Sequence, residues 1–271
     1  MPAVEIGKLT TQVQLIAQQF GSPQELMSGL RNLFETYADR TYRPGATRSP
    51  ASILPEYHLS PVIMRLLEKE LGKYCEHNPL ASLELIDLMW KEPYREYRLL
   101  AASLLGKIPL TYSSQVIDRL QRWSHAVPEY SLAESIISSG SMKLRSQAPE
   151  EWLEIVRKWL KSNNDLETTL GLTGLIPLIQ DRSFNDLPQI FNLFVQHLKN
   201  LNPSQSSTLL KVIEQLALRT PNETVYVLKE VIAVSSDQTL FRLIRRSLPV
   251  FPEEFQSSLR AALTLAARSN A

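Results

Sequence analysis

Residues 149–179 read PEEWLEIVRKWLKSNNDLETTLGLTGLIPLI, and this stretch decides the fold class. Its first part places apolar side chains three and four positions apart, which is the spacing of one face of an α-helix. A short polar break over residues 161–164 separates it from a second apolar segment over residues 165–179. A pair of helices cannot bury its own apolar stripe, so neighbouring pairs must stack against it.

Similar helix pairs recur on both sides of this stretch. Their first helices are predicted to begin near Leu80, Ser113, Pro149, Asp186 and Pro221. The interval of about 33 to 37 residues lies in the range of helical repeat proteins. The pattern predicts an all-α protein, an α-helical solenoid of HEAT-like helix-pair repeats. We expect residues 1–271 to form a single repeat domain, with regular repeats over about 79–250.

The remaining segments complete this organisation. Two helices, over residues 6–20 and 23–37, are predicted to precede the repeats. Residues 39–57 contain prolines and a glycine that break every helical period, so an irregular loop is expected there. Ser60 and Pro61 carry a helix-start signal. A capping helix is predicted over about 252–267.

Two side-chain patterns predict local packing within the repeats. Aspartates at positions 165, 186 and 237 stand where N-caps are expected, because a carboxylate there can accept hydrogen bonds from the free amides of the first turn. Trp152, Trp159, Phe191 and Phe194 keep helical spacing, which favours a place in the core over a base-stacking surface.

Composition excludes several classes of protein. The 29 basic and 28 acidic residues nearly cancel, so nucleic-acid binding must depend on local clusters of charge. The single cysteine, Cys75, excludes an internal disulfide, and the four histidines show no zinc-like spacing with it. No signal-peptide pattern and no apolar run of about 20 residues is present. We therefore expect a cytoplasmic protein without a membrane partner, a metal or a cofactor.

Common catalytic motifs are absent, but one segment is distinctive. Residues 89–108 read MWKEPYREYRLLAASLLGKI, with Trp90 closing one helix, Pro93 marking the break and Glu96 in the first turn of the next helix. By composition alone this is a structural corner between two helices. The string also resembles the corresponding corner of the AlkD-type alkylpurine DNA glycosylases. The resemblance continues through helix lengths and apolar pattern to about residue 232.

The resemblance implies a fold, a partner and a chemistry. Members of that family are tandem HEAT-like helix pairs, curved into a C shape, that hold duplex DNA in a basic concave channel. They carry an aromatic residue and a carboxylate four positions apart. Here the matching positions are Tyr130 and Glu134, and the i, i+4 spacing places both on one helix face. Glutamate replaces the family's aspartate and tyrosine its tryptophan. The family's arginine in the next repeat would fall near Thr168 or Thr169, where no arginine is present.

Basic residues that could bind DNA phosphates occur in three places along the chain. They are Arg95 and Arg98 after the corner, Lys143 and Arg145 after Gly140, and Arg242, Arg245 and Arg246 on the second helix of the last predicted pair. Binding requires that such cations converge on one surface. The alternative is that they are solvated charges of ordinary helix faces.

Two functions follow as hypotheses. The first is DNA binding of the alkylation-repair type, with slow or absent excision of alkylated purines. In such excision Glu134 would stabilise the sugar cation or orient water, and Tyr130 would pack beside it. The alternative is a non-catalytic HEAT-repeat scaffold that binds another protein in its concave face. DNA binding predicts an affinity that falls steeply with salt, whereas a scaffold predicts an exposed apolar patch.

Overall fold

A computed structural model describes residues 5–41, 52–127 and 129–269. Within these ranges every regular element is helical and no strand occurs, which confirms the all-α prediction. Residues 39–41 and 52–57, the described parts of the irregular loop predicted over 39–57, are not helical. Residues 42–51 of that loop lie outside the described part of the chain.

The chain forms two compact units, Met1–Ala148 and Pro149–Ala271. The helices of the first unit are α1 (Ile6–Gln18), α2 (Pro23–Tyr37), α3 (Pro61–His77), α4 (Pro79–Lys91), α5 (Arg95–Leu105), α6 (Ser113–Ala126), α7 (Tyr130–Ser135) and α8 (Met142–Gln147). Those of the second are α9 (Pro149–Leu160), α10 (Asp165–Gln180), α11 (Leu187–Lys199), α12 (Ser206–Arg219), α13 (Pro221–Val234), α14 (Gln238–Ser247) and α15 (Glu253–Ser269). The helices α4 to α7 and α9 to α14 follow the predicted helix pairs.

Helix starts match the sequence prediction closely, because proline and capping residues mark them. Pro149 and Pro221 begin α9 and α13, as predicted, with no hydrogen bond lost at the first helical position. The side chains of Asp186 and Asp237 accept backbone amides of α11 and α14, which confirms both as N-caps. The N-cap prediction for Asp165 was wrong by one residue. Asn164 caps α10 through two backbone amides, and Asp165 is the first residue of that helix.

The core of the first unit contains an aromatic cluster beside α5. Tyr97 is fully buried and packs against Phe34 of α2, with ring centroids 4.8 Å apart. The ring of Tyr57, from the irregular segment, meets Phe34 edge-on at 5.5 Å. Because these contacts join α2, α5 and the segment before α3, the packing of three aromatic rings positions the start of α5.

A π-turn follows α7 and was not predicted from the sequence. Ile136–Gly140 forms this wider turn, and the short helix α8 comes directly after it. Gly106, at the end of α5, lies against the turn so closely that an added Cβ would stand 1.9 Å from the carbonyl oxygen of Ser139. The absence of a side chain at Gly106 therefore permits α5 and the π-turn to pack together.

In the second unit α9 and α10 pack closely through aromatic and small residues. Trp152 and Trp159 are buried as predicted and meet edge-to-face at 5.6 Å. Trp152 Nε1 donates a hydrogen bond of 3.0 Å to the carbonyl oxygen of Gly174. Of the other two aromatics predicted as core, Phe194 is buried and Phe191 is half-buried.

The helix α15 covers the segment that was predicted as a capping helix. The prediction of about 252–267 agrees with α15, which begins one residue later and continues to Ser269. It packs against α13, and its side chains Leu259 and Leu263 are buried. Arg219 stabilises the end of α10 by donating to the backbone carbonyls of Leu178, Ile179, Asp181 and Phe184.

The contact at Gly106 gives a stability prediction. We expect Gly106→Ala to lower the free energy of unfolding by about 1–3 kcal/mol, because the new methyl group overlaps a backbone carbonyl that cannot move by side-chain rotation. Gly7→Ala is the matched control, since nothing lies within 4 Å of a Cβ at that position. Urea unfolding followed by circular dichroism measures both. Equal stability of the two variants would contradict the close approach.

Candidate functional site

The corner between α4 and α5 is built on stacked aromatic rings. Trp90, in the last turn of α4, lies parallel to Trp123 of α6, with ring centroids 3.9 Å apart and planes within 6°. The guanidinium of Arg98 lies 5.6 Å from the centroid of the Trp90 ring, a cation–π distance. The indole of Trp90 therefore joins α4, α5 and α6.

Arg98 also closes the end of α4. Its Nε donates a hydrogen bond of 3.1 Å to the carbonyl oxygen of Glu92, just beyond the last residue of that helix. Burial lowers the pKa of Arg98, but a guanidinium remains protonated under all ordinary conditions. The cation predicted to contact DNA is thus engaged within the protein.

The carboxylate of Glu129, the residue that precedes α7, accepts hydrogen bonds from four donors. Its Oε1 accepts Nε of Arg95 at 2.9 Å and the hydroxyl of Ser131 at 3.0 Å. Its Oε2 accepts the hydroxyl of Ser52 at 2.8 Å and the amide of Ile53 at 2.9 Å. The Glu129 side chain is only 9% exposed, so these four donors replace most of its contact with water.

The protonation of Glu129 reflects these contacts. Burial by itself would raise the pKa of the Glu129 carboxyl. Hydrogen bonds from Ser52, Ile53 and Ser131, together with the charge of Arg95, outweigh burial and lower that pKa below its ordinary value. Glu129 is therefore ionised at neutral pH and holds Arg95 by charge as well as by hydrogen bonding.

Residues 52–59, which we call the strap, run along the start of α5. The amide of Arg95 donates to the carbonyl of Pro55 at 3.0 Å, and the amide of Leu59 lies 3.5 Å from Oε1 of Glu96. Tyr57 of the strap stacks on Tyr94 at 4.2 Å, and burial raises the pKa of Tyr57 to about 12, so its phenol stays neutral. Through Glu129, the strap connects the beginnings of α5 and α7.

Tyr130 and Glu134, the predicted aromatic–carboxylate pair, both lie on α7 and are half-buried. Tyr130 follows Glu129 directly, and Nη2 of Arg95 lies 3.4 Å from the hydroxyl of the next residue, Ser131. The structure therefore brings Arg95 to the start of the helix that carries the pair. The π-turn begins two residues after Glu134.

Lys143 and Arg145 are engaged in internal contacts of the first unit. Lys143 Nζ lies 2.9 Å from Oε1 of Glu76 and donates to the carbonyl of Lys107 at 3.1 Å. Arg145 Nη1 donates to the carbonyl of Ile137 at 2.8 Å, within the π-turn. Burial lowers the pKa of Arg145 without removing its charge. Both cations thus stabilise the region of the π-turn.

The three arginines of α14 differ from these. Arg242, Arg245 and Arg246 are all exposed, and their spacing places them on one face of the helix. The opposite face of α14 is buried through Leu240, Phe241, Leu243 and Ile244. This arrangement presents three positive charges to solvent from one helix of the second unit.

The positions that would carry the family's arginine are occupied by threonines with local roles. Thr168 Oγ1 lies within hydrogen-bond distance of the carbonyls of Ser162 and Asn164, and Thr169 Oγ1 donates to the carbonyl of Asp165. Both hydroxyls belong to the first turns of α10. They supply no positive charge there.

Other chemistry finds little support in the described part of the chain. Cys75 is fully buried, and burial raises its pKa to about 11, so its thiol is protonated at neutral pH. Among the residues that the structure describes, no group of three or more His, Cys, Asp or Glu side chains is arranged to hold a metal ion. No described helix is both long and apolar enough to cross a membrane.

These features define an all-helical protein whose first unit holds a carboxylate-centred polar site at the starts of α5 and α7. Comparison with known families identifies it further. A family profile described as DNA alkylation repair enzyme matches residues 59–211, more than half of the chain. The chain belongs to this family, as the corner around Trp90 and Pro93 predicted. A comparison with curated proteins gave no match. Family membership supports a DNA-repair function and an interaction with DNA.

Sequence reasoning did not identify three contributors to the site. Glu129 follows a proline and precedes Tyr130, and its position before a helix was the only local signal that it could act as an anchor. No signal in the sequence indicated that Glu56 of the strap belongs to the site, because its partner Arg95 lies 39 residues further along the chain. Trp123 was visible only as an aromatic residue, and its stacking on Trp90 depends on how α4 and α6 pack.

The lowered pKa of Glu129 predicts a pH-dependent stability. At pH 7 we expect Glu129→Gln to cost about 1–3 kcal/mol of unfolding free energy, because several donors lose a charged acceptor. Ionised Glu129 stabilises the fold fully above the ordinary value near 4.5, and this contribution disappears as pH falls through the lower folded-state pKa. Urea titrations of both proteins from pH 7 downward measure the difference. A difference that stays constant to about pH 3 would contradict this role.

Proposed function

We propose that this chain binds duplex DNA as part of DNA alkylation repair, and that any glycosylase activity it has is slow. The observation that carries the proposal is the family match over residues 59–211, which includes both the corner at Trp90 and the helix of Tyr130 and Glu134. We also propose that the helix pairs are HEAT-like repeats and that residues 1–271 act as one repeat domain. The recurring starts of α4, α6, α9, α11 and α13 support the repeat assignment.

The proposed DNA contacts are Arg95, Arg98, Lys143, Arg145, Arg242, Arg245 and Arg246. Their surroundings suggest unequal contributions. The arginines of α14 are exposed and can meet phosphates without breaking an internal contact that the structure shows. Arg98 and Arg145 already donate to backbone carbonyls, so a phosphate would have to replace bonds that stabilise helix ends. We therefore assign most of the phosphate binding to Arg242, Arg245 and Arg246.

The chemistry proposed for α7 is hydrolysis of the N-glycosidic bond of a cationic alkylpurine. Glu134 would stabilise the positive charge that develops on the sugar as the base leaves, or orient the attacking water, and Tyr130 would pack beside it. Electrostatic stabilisation depends on sub-ångström placement of the charge. A glutamate reaches one methylene further than the family's aspartate, and Thr168 and Thr169 supply no cation. These two differences support slow or absent excision.

A protein-binding scaffold is the second candidate. Exposed apolar side chains in the second unit favour it, among them Leu218 on α12 and Tyr226 and Val234 on α13. Such residues are normal when scattered, but a cluster large enough to bind a partner would be an alternative use of the helical surface. Measurable binding to DNA decides between the two candidates.

Binding to duplex DNA should fall steeply with added salt. We expect the Arg→Ala substitutions at 242, 245 and 246 each to flatten the plot of log affinity against log salt by about one unit of slope, because each removes one phosphate contact. Arg260→Ala is the matched control, an exposed arginine of the same unit that bonds Gln256. Fluorescence anisotropy with a labelled duplex measures the slopes. Absence of binding at low salt would favour the scaffold.

Release of 7-methylguanine or 3-methyladenine from alkylated DNA should be slow or undetectable. Any release should depend on Glu134, since Glu134→Gln removes the charge while keeping the size of the side chain. We expect that variant to lose at least about 100-fold in single-turnover rate if the carboxylate acts on the sugar cation. Chromatographic quantification of released bases is the measurement. Robust excision that survives Glu134→Gln would place the chemistry elsewhere.

A further inference from the structure

Arg95 differs from the other proposed DNA contacts because its guanidinium is divided among three partners. Nε binds Glu129 at 2.9 Å, and Nη2 lies 3.4 Å from the hydroxyl of Ser131. The remaining nitrogen, Nη1, lies 3.4 Å from Oε1 of Glu56, which belongs to the strap. Two carboxylates therefore face one cation, and the side chain of Arg95 is still 27% exposed.

The two carboxylates are held very differently. Glu129 accepts from Ser52, Ile53 and Ser131 in addition to Arg95, so moving it would leave several donors unpaired. Glu56 is twice as exposed, at 18% against 9%. Its distance to Arg95 is longer than that of a short charge-assisted hydrogen bond, which is about 2.7–2.9 Å. Glu56 is therefore the partner of Arg95 that can be exchanged at the lower cost.

A second contact can hold the Glu56 carboxylate after a phosphate has replaced it on Arg95. Its Oε2 lies 2.9 Å from Nδ1 of His58, also in the strap. If Oε1 lost Arg95, the carboxylate would keep this neighbour and its access to water. Arg95, in turn, would remain oriented by Glu129. A carboxylate and a phosphate present similar anionic oxygens to a guanidinium, so either can occupy the position at Nη1.

We propose that Glu56 is a self-inhibitory latch, which occupies on Arg95 the position of a DNA backbone phosphate and is displaced when DNA binds. This rests on the proposed function. DNA must break the ion pair between Glu56 and Arg95 each time it binds, whereas Glu129 continues to orient Arg95. It also places the phosphate next to the start of α7, which carries Tyr130 and Glu134. Anionic ligands that do not reach Arg95 leave the latch closed.

The test compares two variants that remove the same charge. Glu56→Gln opens the latch, whereas Glu35→Gln removes an exposed carboxylate of α2 for which the structure shows no ion pair with Arg95. Binding of a labelled duplex is measured by anisotropy across a salt series. We expect Glu56→Gln to gain about twofold to fivefold in affinity over Glu35→Gln, the range of a partly exposed ion pair. The slope of log affinity against log salt should stay the same, because both proteins contact the same phosphates once Glu56 has been displaced.

A double-mutant cycle assigns the gain to Arg95. In the Arg95→Gln background the gain from Glu56→Gln should vanish. If Arg95→Gln loses its helical signal in circular dichroism, Arg95→Lys replaces it, since an ammonium lacks the planar fork of separate nitrogens by which the guanidinium faces two carboxylates. The gain in affinity from Glu56→Gln should then be smaller than in the protein that keeps Arg95.

The possible outcomes separate the latch from DNA binding itself. Equal affinities of Glu56→Gln and Glu35→Gln, with clear binding by both, would overturn the latch and leave the proposed function standing. A gain of undiminished size in the Arg95 variants would also overturn it. Binding by Glu56→Gln alone would support a stronger latch. If neither the wild type nor Glu56→Gln binds at low salt, the proposed function fails and the latch fails with it.

Discussion

The ionised carboxylate of Glu129 is the constraint on which the site of the first unit depends. A carboxylate that is nine-tenths removed from water is stable only when its oxygens are occupied by donors, and here they come from the strap, α5 and α7. These elements are far apart in sequence. Their common partner therefore sets where α7 begins relative to α5, and with it the position of Tyr130. Few other polar groups could replace the Glu129 carboxylate, because a neutral acceptor would not also balance the charge of Arg95.

The availability of a cation is decided by its neighbours rather than by its type. Arg98, Lys143 and Arg145 carry the charges that a DNA-binding surface needs, but each already donates to a backbone carbonyl of the first unit. Such bonds stabilise helix ends and the π-turn. Arg242 and Arg245, in contrast, project from a helix whose other face supplies the packing. The same residue type thus contributes stability in one unit and an exposed positive surface in the other.

The position of helices was predictable from the sequence, and the details of their ends were only partly so. Proline at a helix start and apolar side chains at helical spacing are local signals, so α9 and α13 begin at the predicted residues. Asn164 instead of Asp165 caps α10 because either residue type can accept the first amides, and the backbone decides which one stands outside the helix. The π-turn gave no signal, since it depends on the space beside Gly106.

The sequence by itself determined the all-helical architecture, the boundaries of most helices, the burial of Trp152 and Trp159 and membership of the DNA alkylation repair family. These follow from periodicity, capping chemistry and a specific corner, all of which act over a few residues. Only the tertiary structure decided that Glu129 would meet Arg95, that the strap would place Glu56 beside the same guanidinium, and that Trp123 would stack on Trp90. The physical reason is that ion pairs and ring contacts are set by distances in space. No spacing along the chain encodes a partner that lies 30 or more residues away, as Glu129 does from Arg95.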